Sequence, residues 1–414
     1  MKMPSLVMGI DLGTSGVRIA VINESRVLIH SAEMAYPNDL SSWEGWKECC
    51  KTLIHGIPKS IRNCLMACAI DGTSGTLLAC DKKGSPLGPA LPYYLCCSEQ
   101  KLPLAKILPE GGIASSVNSS LARALRLIKQ YGPDLLLRHQ SDWITGWLLG
   151  NWDWGEESNN LRLGWDPHSK SWPSNFKKLS LQRSLPLIVP SGRIFTTISN
   201  KQASSLNLPK DLLIIAGTTD SNAAVLSAEL EKDDGLTILG STIVVKRFVE
   251  SPIKGAGITN HRILNRWICG GASNTGAAVL RPLFSDIHLK ELSRQINPYL
   301  DSGLNLRPMP FQGERFPVDD PSLKPIMKPR PVSDSLYLHG IFEGLAQKES
   351  HCWQKLVELG APRPKRIITI GGGAKNPQWR IIRERIMGFP IRTCRNFPAQ
   401  GAAFIALKAI LKKH

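Results

Sequence analysis

The stretch Asp11-Leu12-Gly13-Thr14-Ser15-Gly16 places one carboxylate, two hydroxyls and two glycines within six residues. Backbone N–H groups in a tight glycine turn converge on an anion, and the Thr14 and Ser15 hydroxyls add donors. The apolar runs Leu6–Ile10 and Val17–Ile22 flank the turn, so the segment reads as a strand hairpin. A Walker loop carries a lysine and opens a helix, and a dinucleotide fingerprint also opens a helix. Here the turn has no lysine and leads back into a strand. The same device recurs at Gly240-Ser241-Thr242 inside "GLTILGSTIVVKRFV". Two such hairpins facing one another would hold a polyphosphate without a Walker lysine. Asp11 would repel phosphate on its own, and makes sense beside a Mg²⁺ ion.

Two copies of strand, Gly-hydroxyl turn and strand imply two related lobes, residues 1–231 and 232–414, with the boundary near Lys232. Further strand character appears at Leu65–Ile70. Leu121, Leu125, Ile128 and Tyr131 share a helix face, with Arg123, Arg126 and Lys129 away from it and Ser119 or Ser120 as cap. Trp143, Trp147 and Leu148 repeat at helical spacing as core residues, and Gly150 ends that pattern. Residues 298–332 are rich in proline and charge and read as a long excursion. Near the end, Arg366–Ile370 is strand-like and Gly371-Gly372-Gly373 turns the chain. Asn376 caps a helix with Pro377 in its first turn, and Gly388 stops it. The final helix, from about Pro398 to Lys412, opens with Gly401-Ala402-Ala403, small enough for close packing.

The chain has 414 residues, 42% hydrophobic and 21% charged, enough for two ordinary domains. No apolar run reaches the roughly 18 residues of a membrane span, and no signal peptide is visible, so a cytoplasmic protein is expected. The ten cysteines include Cys49-Cys50 and Cys96-Cys97 but no Cys-x-x-Cys pair, which argues for reduced thiols rather than zinc or disulfides. The net charge of +17 is scattered, without a block of like charge or a nucleic-acid module. A basic surface with sites for anionic small molecules is expected, with no nucleic-acid partner.

In this order along the chain, "GIDLGTSGVRIAVI", "AIDGTSGTLLACDKKGSPL", "LIIAGTTDSNAAVLSAEL", "LTILGSTIVVKRF", "GIFEGLA", "ITIGGGAKNPQWRIIRERIMGFPI" and "PAQGAAFIALKAI" resemble the FGGY family of carbohydrate kinases. The resemblance implies an α/β fold of two ribonuclease-H-like lobes, as in the actin/Hsp70/sugar-kinase superfamily, with a deep interlobe cleft. It implies ATP and Mg²⁺ as cofactors and a small ketose as substrate. The catalytic base would be Asp220, in "AGTTDSNAA". A carboxylate within reach of the attacking hydroxyl can take its proton; an Asp before Ser-Asn-Ala-Ala also makes a helix N-cap, and both roles are compatible. ATP would contact Gly13, Thr14, Ser15, Gly240, Ser241, Thr242, Gly371, Gly372, Gly373, Asn376 and Trp379, the last of which could instead be core. Asp11 and Asp220 would hold the metal, partly through water.

The loop Asp71-Gly72-Thr73-Ser74-Gly75-Thr76 and the short chain resemble the compact xylulose-kinase-like group of cyanobacteria and plastids, whose members look like D-ribulose kinases. Ser74 would then bind the ketose with Asp11 and Asp220. One departure stands out. Family members follow an aromatic residue with Asp-x-Arg, and this chain has "LPYYLCCSEQ". The loss of that arginine removes a donor to the sugar. D-xylulose or another polyol remains an alternative substrate, and a sugar- or nucleotide-binding regulator without turnover remains an alternative function. A monomer or homodimer is expected.

Overall fold

The computed structural model describes residues 5–109, 112–179 and 181–411. It divides into two compact units. One runs through Ser227 and includes Arg262–Asn265 and the chain from Phe397 on; the other comprises Ala228–His261 and Arg266–Asn396.

The first unit is built on β1 (Leu6–Leu12), β2 (Gly16–Ile22), β3 (Leu28–Ala35), β4 (Leu65–Gly72), β5 (Ile194–Thr197) and β6 (Leu213–Thr219). They form one six-stranded sheet in the order β3-β2-β1-β4-β6-β5. β1 pairs antiparallel with β2 and parallel with β4, and β4 pairs parallel with β6. Every residue of β1 is buried, because helices cover both faces of a central strand. The helices used below are α1 (Trp43–Gly56), α2 (Ser120–Tyr131), α3 (Gln140–Leu149) and α4 (Asp220–Ser227). Ser119 caps α2, its hydroxyl accepting from Ala122 N. Trp143 and Trp147 of α3 lie in the core, and Gly150 closes that helix in the left-handed conformation.

The second unit repeats the plan. Its strands are β7 (Asp234–Leu239), β8 (Ile243–Val249), β9 (Ile258–Ile263), β10 (Arg266–Ala272), β11 (Arg366–Ile370) and β12 (Ile391–Thr393), in the order β9-β10-β8-β7-β11-β12. Again the first strand pairs antiparallel with the second and parallel with the one beyond. Helices α5 (Asp286–Gln295), α6 (Asp334–Glu358) and α7 (Pro377–Met387) pack against this sheet. The α7 boundaries follow the sequence: Asn376 Oδ1 accepts from Trp379 N, Pro377 opens the helix, and Gly388 ends it at φ 69°.

The closing helix α8 (Pro398–Leu411) departs from the expected division. It packs on β1 and α4 of the first unit, not with residues 232–396. Gly9 and Gly401 explain the attachment. A Cβ on Gly9 would lie 2.0 Å from the Ala399 carbonyl oxygen, and one on Gly401 would lie 1.9 Å from that of Ala223. The small residues let three backbones touch.

A second correction concerns α2. Arg123, placed by the sequence pattern on the outer face, is fully buried. Its guanidinium donates to the carbonyls of Pro92, Tyr93, Leu95 and Asn118. Pro92, Tyr93 and Leu95 sit in the loop that lacks Asp-x-Arg, so an arginine from elsewhere in the chain shapes that loop from within. Burial pulls Arg123 down to about 10.

Candidate active site

Three carboxylates gather at the carboxyl ends of three neighbouring parallel strands. Asp11 is the penultimate residue of β1, Asp71 stands beside it in register on β4, and Asp220 begins α4 directly after β6. Ligands of open α/β sheets bind beyond this edge. Asp11 and Asp71 are 1% and 0% exposed, whereas Asp220 is half-buried. Burial pushes Asp71 well above the carboxylate range, and the nearby charges of Asp11 and Asp220 push it further. Burial also raises Asp11, against the lowering influence of Asp71 and Arg18.

From the sequence alone, Asp71 figures only as part of the loop that carries Ser74, with no role in the site. Its signal was present, since "AIDGTSG" repeats the Asp and Gly-Thr-Ser-Gly of "GIDLGTSG". Arg18 also went unnoticed. Its Nη1 lies 3.4 Å from Asp11 Oδ2, so Asp11 has an attractive partner within the protein besides any metal ion or sugar hydroxyl. Asp11 Oδ1 nonetheless remains buried without a hydrogen-bond partner.

The two Asp-turns of this unit are wired together. Gly13 N donates to Gly16 O and closes the β1–β2 turn, leaving Thr14 and Ser15 exposed. Tyr36 Oη donates to Gly13 O, and Gln140 Nε2 donates to Tyr36 Oη. Gln140 Oε1 in turn accepts from Thr73 N at 3.1 Å and Thr73 Oγ1 at 2.7 Å. Tyr36 and Gln140 thereby fix the loop bearing Ser74 relative to the hairpin bearing Asp11. Ser74 itself is part-exposed. Behind Asp220, Glu156 Oε2 accepts from Asn159 Nδ2, which also reaches the carbonyl of Thr218 two residues before the aspartate.

In the second unit a cavity of about 440 Å³ is lined by Gly240, Ser241, Gly372, Gly373, Asn376 and Trp379, among others. Six of the expected nucleotide residues of this unit thus line one hollow of ligand size. Thr242 and Gly371 are not part of its lining. Gly371 has a packing reason to be glycine: φ is 96°, and a Cβ would lie 2.5 Å from Leu239 O. Gly372 has no heavy atom within 4 Å of such a Cβ. Asn376 is largely committed, since Oδ1 caps α7 and Nδ2 donates to Ser293 Oγ at 2.8 Å. Trp379 is 2% exposed and stacks on Phe342 at 5.1 Å and 5°, so its main role is core. Arg281, Phe284 and Asp286 also line the cavity and were not foreseen; the small-residue run "GAAVL" before them was the available cue.

Among the described residues no cluster of three or more His, Cys, Asp or Glu forms a metal cage. Mg²⁺ bound to a nucleotide keeps several waters and needs only one or two carboxylates, so the free Asp11 Oδ1 suits that ion. None of the ten cysteines forms a disulfide, and among the described residues no helix is long and apolar enough to cross a membrane.

Residues 239–410 match the FGGY family of carbohydrate kinases, C-terminal domain. The xylulose kinase of Staphylococcus xylosus is 22% identical over 436 aligned residues, covering 97% of this chain and 90% of that protein. Ligand-bound xylulose kinase from Lactobacillus acidophilus superposes with a TM-score of 0.83 at 16% identity, covering 98% of this chain and 90% of the other. Plasmodium falciparum glycerol kinase, solved with ADP, gives 0.82 at 14% identity, covering 98% and 90%. At such identities the structural likeness speaks for the fold, that of sugar kinases built as two α/β units. The matched stretch, which takes in most of the second unit together with α8, is thus similar to the C-terminal domain of FGGY-family carbohydrate kinases.

Proposed function

We propose that this chain transfers the γ-phosphoryl group of ATP to a hydroxyl of a pentulose, D-ribulose first, giving D-ribulose 5-phosphate. The observation that carries the reading is the meeting of Asp11, Asp71 and Asp220 at the carboxyl ends of β1, β4 and β6. Asp220 is the member that remains part-exposed, at the start of a helix whose amide dipole favours its charged form. It is suited to accept the proton of the attacking hydroxyl as the oxygen–phosphorus bond forms. Asp11, held by Arg18, and Ser74, held through Thr73 and Gln140, orient the sugar. The cavity around Gly240, Ser241, Gly372 and Gly373 takes the nucleotide. Mg²⁺, on Asp11 with Asp220 through water, would neutralise charge on the transferred group.

D-ribulose is favoured by the Gly-Thr-Ser-Gly loop at 72–75 and the compact chain. D-xylulose is the second reading, on the strength of the xylulose kinase relative. ATP consumption measured side by side with D-ribulose, D-xylulose, L-ribulose and glycerol separates them. D-ribulose should give the highest kcat/KM. A higher value with D-xylulose overturns the substrate assignment, and no sugar-stimulated ADP release with any of them favours a binding protein.

A further inference from the structure

The Gly240-Ser241-Thr242 turn does not hold its own shape. Its one internal backbone bond runs from Gly240 N to Thr242 O at 3.1 Å. Its other supports come from the segment following β10. Ala277 N donates to Gly240 O and Ala278 N to Ser241 O. Ile243, the next residue, exchanges two bonds with the same segment: Ile243 N to Thr275 O at 2.7 Å and Ser273 N to Ile243 O at 2.9 Å. Gly276 lies so close that a Cβ there would stand 2.6 Å from both Ser241 O and Thr242 Cα. Wherever residues 273–278 go, the turn goes.

That segment is in turn gripped by one buried carboxylate. Glu314 is 3% exposed and sits on the proline-rich excursion. Its Oε2 accepts from Ser273 Oγ at 2.6 Å, and its Oε1 accepts from Asn274 N at 2.7 Å. Ser273 Oγ also accepts from Thr275 N at 2.9 Å, which passes the constraint to the residue bonded to Ile243. Lys348 Nζ of α6, 3.1 Å from Oε2, balances the charge. The loop presenting Glu314 is closed on itself, with Glu314 and Asp320 exchanging both backbone bonds and Gly313 N donating to Leu323 O. Phe316 anchors it, fully buried against Gly271, where a Cβ would meet the ring at 2.5 Å.

We infer that Glu314 is a positioning residue for the phosphate-binding turn, and that the excursion exists in part to deliver it. A buried charged acceptor with fixed donors is stiffer than a neutral one, because charge-assisted hydrogen bonds are shorter and stronger. Amide donors aimed at a phosphate act only when they are pre-aimed. The inference rests on the nucleotide reading of the cavity proposed above.

The test uses the full chain with Glu314→Gln and, as the smaller change, Ser273→Ala. Calorimetry gives Kd for ATP and for adenosine, steady-state kinetics gives KM for ATP and for the ketose, and a thermal melt confirms folding. The expected result is ATP binding weakened about tenfold in both variants, with adenosine affinity and ketose KM within about twofold of the original. Folded variants with unchanged ATP affinity overturn the inference, as does an equal loss for adenosine, which has no phosphates for the turn to hold. Should Glu314→Gln not fold, Ser273→Ala decides alone. A parent chain that binds ATP but phosphorylates no sugar defeats the kinase reading while the Kd comparison still judges the brace. A parent chain that binds no ATP overturns both.

Discussion

Asp71 stands directly beside Asp11 across the parallel β1–β4 pair, and neither carboxyl is open to solvent. Two buried acids side by side cannot both ionise cheaply. Burial and the charge of Asp11 raise Asp71 well above its unfolded value. A raised carboxyl pKa in the folded state means that stability is greatest at acidic pH and falls as pH rises through the folded pKa. Asp71→Asn keeps the shape and removes the titration. The variant should melt at a higher temperature than the parent at pH 8 and differ little near pH 4. Melting curves across that range check it; a variant that loses stability at pH 8 would refute the reading.

Asp220→Asn retains the side-chain volume and loses the base. Sugar-dependent ATP consumption should drop about 10²–10⁴-fold. ATP affinity, measured by calorimetry, should stay close to that of the parent. Near-normal turnover would remove Asp220 from the mechanism.

The three glycines at 371–373 separate into two kinds. Gly371 needs its positive φ and the space beside Leu239, and a Cβ on Gly373 would stand 2.5 Å from the Trp379 ring. Gly371→Ala should therefore lower stability by about 1 kcal/mol or more. Gly372 has open space instead. Gly372→Val should leave the melting temperature almost unchanged and weaken ATP binding, because its side chain would enter the cavity margin. Thermal melts and ATP titrations of the two variants read out the contrast.

The core of the second unit contains an ion pair that no solvent reaches. Arg383 donates to both oxygens of Glu349 at 2.6 and 2.7 Å and to Thr369 Oγ1 at 3.0 Å. Thr237 Oγ1 donates to Glu349 Oε1, and Trp353 Nε1 donates to Thr237 Oγ1. Every partner is satisfied, so removing one strands the other. Arg383→Met should cost about 3–5 kcal/mol in denaturant unfolding, and adding Glu349→Leu should restore much of the loss. A double variant no better than the single would show that the pair matters in itself.

The sequence revealed much of the frame because its signals were local. Two glycine-hydroxyl hairpins, the Asn376-Pro377 helix start and the Gly388 stop each lie within a few residues, and each formed as read. What it concealed was carried by distance. Arg123 looked like an outer-face cation because its acceptors lie 5 to 31 residues away in sequence. Asp71 gained its meaning only when β4 paired with β1. Glu314 sat in a stretch with no periodicity at all, and only the folded loop brought it to Ser273, 41 residues earlier.

The attachment of α8 to β1 and α4 bears on how the protein is made. A ribosome adds roughly 5–20 residues per second, so the strands of the first unit emerge tens of seconds before the helix that covers them. Until residues 398–411 arrive, the sheet face behind Asp11 has no cover, and the apolar side chains of Val7, Ala67, Ala69 and Ile215 stay open to chance encounters. The second unit is synthesised complete within that interval. Its folding is thus nested inside that of the first, and a nascent chain stalled anywhere before Pro398 presents a sticky, half-built sheet to the quality-control machinery of the cell.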